Sequence, residues 1–93
     1  MQGYNVIVVF NKELTRVLMC RRTKEPYKGL SNFVGGKIEK GEDGYKAAYR
    51  EMQEESGISS ENITLTHLVD FTYPLDDCYV EVYAGRLEKD VIL

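Results

Sequence analysis

Three glutamates within five residues carry the most specific chemistry available to this sequence. Glu51, Glu54 and Glu55 are spaced i, i+3, i+4, which on a helix gathers them within roughly 100° of arc. Carboxylates so crowded repel one another, and acid in the second half of a helix meets the unfavourable end of the macrodipole. Arg50 offsets part of the repulsion through an i, i+4 pair with Glu54. Two readings account for such an edge. It is a solvated acidic face, or it binds a hard divalent cation, Mg2+ or Mn2+, which takes carboxylate, carbonyl and water ligands. The preceding segment favours the cation. Gly35 and Gly36 allow backbone geometry closed to other residues, so a carbonyl can turn toward the same ion.

The chain around these residues has 93 positions, with 12 Lys and Arg against 15 Asp and Glu and a formal charge of −3. That length predicts one domain over residues 1–93. Mild acidity argues against a nucleic-acid polymer held by a general basic surface, so an anionic ligand needs the cation. With 43% hydrophobic and 29% charged residues, the composition is that of a folded globular domain, not a disordered one. Cys20 and Cys78 form no CxxC pair and are expected to be reduced and partly buried. Residues 1–13 lack the basic start and small-residue cleavage site of a signal peptide. The longest apolar run there, residues 6–10, is too short to cross a bilayer. The expected location is cytoplasmic, with no membrane partner.

The elements that must position the glutamates follow from hydrophobic period. Residues 4–10 are a β-branched and aromatic run, predicting a strand buried on both faces. Residues 16–21 read as a returning strand, completing a hairpin, and residues 22–32 as a loop. Phe33 and Val34 suggest a very short strand, and residues 37–43 another loop. Residues 44–56 are the one convincing helix, with Asp43 as N-cap and Gly57 as left-handed terminator. Its apolar stripe is Tyr45, Ala48, Tyr49 and Met52, with Lys46, Arg50 and Gln53 on the solvated side. Residues 63–73 alternate as a strand with Ile63, Leu65, Val69, Phe71 and Tyr73 on one face. By parity His67 joins that face, where a core histidine is the expected role. A turn at residues 74–77 leads to a last alternating strand over residues 78–87. The terminal apolar triplet of residues 91–93 favours association.

Residues 36–58 read GKIEKGEDGYKAAYREMQEESGI. This stretch resembles the Nudix box, G-x5-E-x7-R-E-U-x-E-E-x-G-U, where U is a bulky aliphatic residue. Gly36, Glu42, Arg50, Glu51, Glu54, Glu55 and Gly57 stand at the fixed positions, with Met52 and Ile58 at the U positions. The resemblance implies an α/β fold, the Nudix-type α/β/α sandwich around a mixed β-sheet. The family continues past the last strand seen here with a loop, another strand and a second helix, so the fold is expected to be incomplete at the C-terminus.

The implied activity is divalent-metal-dependent hydrolysis of a nucleoside diphosphate linked to another group, with a MutT-like action on nucleoside triphosphates, oxidised ones included, as the analogy the resemblance suggests. The alternative is a nucleotide-binding or regulatory domain of weak or no turnover. Carried over residue by residue, the resemblance makes Glu51, Glu54 and Glu55 metal ligands, joined by a carbonyl of Gly35 or Gly36. It makes Glu51 or Glu54 the general base, Arg50 the residue that orients a neighbouring glutamate, and Glu42 a support for the loop. The metal, Mg2+ or Mn2+, neutralises diphosphate charge and polarises phosphorus. Upstream, the paired arginines at the end of LMCRR resemble those of MutT-type members. Arg22, and with it Arg21, is a candidate for substrate phosphate, as is Lys37; a solvated strand end is the competing reading. The implied partner is a small-molecule nucleotide, and a homodimer stays open.

Overall fold

A computed structural model describes residues 1–21 and 31–89. Six strands and one α-helix follow in the order β1 (Gln2–Phe10), β2 (Met19–Arg21), β3 (Ser31–Phe33), β4 (Lys37–Ile38), α1 (Gly44–Ser56), β5 (Thr66–Tyr73) and β6 (Cys78–Arg86). Four strands make a mixed sheet in the order β4-β1-β6-β5, and β2 pairs with β3 in a small second sheet. Strand β1 is central: it runs parallel to β6 over its full length, from Gln2 opposite Cys78 to Phe10 opposite Arg86, and antiparallel to β4.

One face of this sheet is closed by α1. Ile7 and Val9 of β1 and Tyr83 of β6 pack with Ala48 and Met52 of the helix, and Ile58, Ile63, Leu65 and Leu87 complete the core. The small side chains of Ala47 and Ala48 bring the helix backbone close to the strands; both are fully buried. Met52 is also fully buried. Met52→Ala is therefore expected to cost about 2–4 kcal/mol through lost burial and a residual cavity, lowering Tm by roughly 10 °C or more. A melting curve by circular dichroism reads the effect, and a shift under about 2 °C would mean that Met52 is not the keystone of this layer.

The strand predicted over residues 4–10 is present, but it is buried on one face only. Gly3, Asn5, Ile7 and Val9 are buried while Tyr4, Val6, Val8 and Phe10 are partly exposed. Among the described residues α1 is the one α-helix, and it covers a single face. The expected hairpin survives only at its base, where Val17 bridges Phe10 and the Leu18 N–H donates to the Val9 carbonyl at 2.9 Å. Beyond that point β2 leaves β1 and takes β3 as its partner. Residues 37 and 38, read as loop, are the short strand β4, because Gly3 and Tyr4 offer them a ladder.

The largest departure lies in β5. A bulge between His67 and Val69 shifts its register against β6. One inserted residue inverts the faces downstream. The strand starts at Thr66, not at residue 63 as predicted; Ile63 and Leu65 precede it and are buried in the core, whereas Val69, Phe71 and Tyr73 emerge exposed on the opposite face. Asp70 takes the helix side instead, opposite Glu81. There His67 Nε2 pairs with Asp70 Oδ1 at 2.5 Å, and the imidazole stacks on the Tyr83 ring at 4.7 Å. His67 is thus half-buried in a polar-aromatic cluster at the rim of the core, not within it. Burial first, then its hydrogen bond to Glu81, raises the Tyr83 pKa. Two helix tyrosines fasten this strand and the residue before it: the Leu65 N–H donates to the Tyr49 hydroxyl at 2.9 Å and the His67 N–H to the Tyr45 hydroxyl at 3.1 Å. Tyr45 reaches β5 from an exposed position, outside the core stripe assigned to it.

Candidate active site

Helix α1 begins and ends where local signals place it. Asp43 occupies the N-cap position in an extended conformation, although its side chain makes no capping hydrogen bond. Gly57 closes the helix at φ 78°, its N–H donating to the Gln53 carbonyl at 2.9 Å. This frame carries Arg50, Glu51, Glu54 and Glu55 past the segment of residues 34–36, which is bonded to β1. Ile7 N–H donates to the Val34 carbonyl at 2.8 Å and Asn5 N–H to the Gly36 carbonyl at 2.9 Å.

Arg50 is the hub, not a solvated side chain. Its Nε donates to Glu42 Oε2 at 2.7 Å and its Nη2 to Glu42 Oε1 at 2.9 Å, a two-pronged fork. Nη1 donates to Glu51 Oε1 at 3.0 Å and reaches Glu54 Oε2 at 3.3 Å, while Nη2 also donates to the Lys37 carbonyl at 3.2 Å. Glu42 closes the loop before the helix through Oε1, which accepts the Glu39 N–H at 3.1 Å. These partners, the Glu42 hydrogen bond foremost, raise the Arg50 pKa still further.

The Arg50 hydrogen bonds, backed by the Glu39 amide, hold the Glu42 carboxyl down to about 2. Its folded pKa lies below the unfolded value of 4.5. The linked stability is therefore present above that value and lost as pH falls from there toward about 2. Glu42→Gln should show a Tm deficit at pH 7 that narrows steadily between about pH 5 and pH 2. Thermal melts across that range decide the matter; a pH-independent deficit would contradict the ion-pair account.

The glycines bring the carboxylates close to backbone. A Cβ on Gly36 would lie 2.7 Å from the Glu51 carboxylate, so the absence of a side chain leaves that carboxylate its place. Glu51 is sheltered, with 14% of its side chain exposed, whereas Glu54 is 59% exposed. The Gly35 N–H donates to Glu55 Oε2 at 3.2 Å. Among the described residues no three His, Cys, Asp or Glu side chains converge as a ready metal cluster. The donors nonetheless suit a hard cation: the set is all oxygen, the carboxylates of Glu51, Glu54 and Glu55 beside a glycine turn whose Gly35 carbonyl is a further oxygen. In this arrangement Arg50 and the Gly35 N–H engage them.

A model of the NUDIX domain matches residues 1–92. The chain belongs to the NUDIX domain family. This NUDIX chain is 31% identical over 82 residues to the 8-oxo-dGTP diphosphatase of Escherichia coli, covering 87% of the chain and 62% of that protein. It is 37% identical over 62 residues to an 8-oxo-dGDP phosphatase of Mus musculus, covering 67% of the chain and 19% of that protein. It thus spans less than two thirds of either relative's length. Its fold superposes on a MutT/nudix family protein of Enterococcus faecalis with a TM-score of 0.77 at 24% identity, over 98% of this chain and 39% of that one.

The remaining candidates from the sequence fare unevenly. Arg22 and the apolar triplet of residues 91–93 lie outside the described residues, and for Arg21 only its place at the end of β2 is described. Lys37 has an exposed side chain, and its carbonyl is a partner of Arg50. Cys20 and Cys78 are free and half-buried. Burial first, then the nearby Glu55, raises the Cys20 thiol pKa. No helix of the described residues is long and apolar enough to cross a membrane. Sequence reading missed Asn5, the buried polar residue at the centre of the NUDIX sheet. Its signal was present: a lone amide in a β-branched run, at the parity of Ile7 and Val9.

Proposed function

We propose that this chain hydrolyses a phosphoric anhydride of a nucleoside triphosphate, with an oxidised guanine nucleotide as the leading substrate. One observation carries the reading. The acidic edge of α1 lies against the glycine turn of residues 35 and 36, with Arg50 joining three of the box carboxylates. The relatives named for 8-oxo-dGTP and 8-oxo-dGDP support the choice of substrate.

In this reading Glu51, Glu54, Glu55 and the Gly35 carbonyl hold Mg2+ or Mn2+. The Gly36 carbonyl already accepts the Asn5 N–H, which makes Gly35 the better of the two glycines. When bound, the cation neutralises diphosphate charge and polarises phosphorus. Glu54, the more exposed of the two candidate bases, takes a proton from the attacking water. The water oxygen bonds to phosphorus, the P–O–P bond breaks, and a triphosphate yields a nucleoside monophosphate and pyrophosphate. Arg50 keeps Glu51 oriented, and Arg21, Arg22 and Lys37 are the cations proposed for substrate phosphate.

A panel of nucleoside triphosphates, oxidised dGTP, ADP-ribose and dinucleoside polyphosphates, incubated with and without Mg2+, tests the proposal. Mononucleotide released only with Mg2+ supports it. Nucleotide retained without turnover supports the binding-domain alternative. Cytoplasmic location and a homodimer through the exposed face of Val69, Phe71 and Tyr73 belong to the same proposal. Size-exclusion chromatography reads the latter.

A further inference from the structure

We infer that Asn5 is a positioning residue, which grips both backbone groups of Gly36 and so orients the 35–36 peptide toward the box carboxylates. The inference rests on the metal reading above. An ordinary antiparallel pair exchanges two backbone hydrogen bonds. Here the Asn5 N–H donates to the Gly36 carbonyl at 2.9 Å, but the return bond goes elsewhere: the Gly36 N–H donates to the Asn5 side-chain Oδ1, also at 2.9 Å. The side-chain oxygen replaces a rung of the ladder.

This substitution fixes a direction. In a planar trans peptide the C=O points opposite to the N–H. With the Gly36 N–H aimed at Asn5 Oδ1, the Gly35 carbonyl points away from that side chain. Gly35 itself has φ 147°, and a Cβ there would lie 2.1 Å from the Asn5 backbone oxygen, so only glycine fits against this strand. On the other side Gly35 N–H meets Glu55, and Gly36 abuts Glu51. Asn5 thus acts on the carboxylate site through the backbone of two glycines.

Its own hydrogen bonding supports this role. Asn5 is 3% exposed, and its Nδ2 is a buried donor with no partner among the described residues. An orphaned donor is costly, and a residue that merely filled the sheet would be apolar like Ile7 and Val9. The amide is explained by its acceptor, the one group that Gly36 uses.

Three measurements test the inference, two without turnover. On the wild-type chain, hydrogen exchange should show the Gly36 amide strongly protected; rapid exchange there overturns the inference. By Mn2+ titration followed with electron paramagnetic resonance, Asn5→Leu, which keeps the branching but removes the acceptor, should weaken Mn2+ by about tenfold or more. Asn5→Asp, which restores an oxygen at the same reach, should stay within about threefold of wild type. Kinetically, Asn5→Leu should lower kcat about 10–100-fold with KM within about threefold. Unchanged Mn2+ affinity in Asn5→Leu, or equal loss in both variants, overturns the role. Should Asn5→Leu fail to fold, the wild-type exchange and the Asp variant still decide. A wild-type chain that binds no Mn2+ overturns the metal reading itself, an outcome distinct from intact Mn2+ binding that ignores Asn5.

Discussion

Glu54→Gln is expected to lower metal-dependent nucleotide hydrolysis by roughly 10²–10⁴-fold while leaving Tm nearly unchanged. The separation of the two effects is the informative part. Glu54 is 59% exposed, and its contact with Arg50 is a peripheral one at 3.3 Å, so the fold depends little on its charge. The amide keeps the shape but can neither accept a proton at neutral pH nor offer a full negative charge to a cation. Glu51→Gln should behave differently. Its carboxylate is 14% exposed and bonded to Arg50 at 3.0 Å, so loss of activity there comes with loss of stability. Parallel Tm and rate measurements distinguish the two. A Glu54→Gln enzyme with activity within threefold of wild type would remove Glu54 from both of its proposed roles.

Gly35→Ala should be the most damaging glycine-to-alanine change among the described residues. At φ 147° an alanine is strained, and its Cβ would lie 2.1 Å from the Asn5 backbone oxygen, which cannot rotate aside. The strand or the turn must move, at a cost of about 2–4 kcal/mol, or roughly 10–20 °C in Tm. Mn2+ affinity should fall with it, because the displaced peptide is the one that Asn5 orients. Gly41→Ala is the control. Gly41 also has positive φ, at 81°, but nothing lies within 4 Å of an added Cβ, so only the left-handed strain of about 1 kcal/mol applies. If the two variants melt together, contact with β1 is not what restricts residue 35.

What the sequence revealed was local. The helix over residues 44–56 appears at those residues because its period, the extended Asp43 and the left-handed Gly57 are all read within a few positions. The acidic edge follows from the same period. The missed features depend on distant partners. Arg50 seemed solvated because its principal partner, Glu42, lies in the preceding loop and reaches it only once the loop folds back. The bulge at His67 and Val69 is set by pairing with β6, and its single extra residue turned a predicted core face outward. Asn5 is absorbed into the apolar run of residues 4–10, since its use depends on Gly36, a residue 31 positions away.

The most direct test of the central claim is hydrolysis of oxidised dGTP in water enriched in oxygen-18, with and without Mg2+, analysed by mass spectrometry. Water attack at phosphorus predicts one heavy oxygen in the phosphate products per bond cleaved, formed only with Mg2+ and lost in Glu54→Gln. Products free of the label, or formed equally without the metal, would contradict the assignment of the acidic edge of α1 as a metal-dependent hydrolytic site.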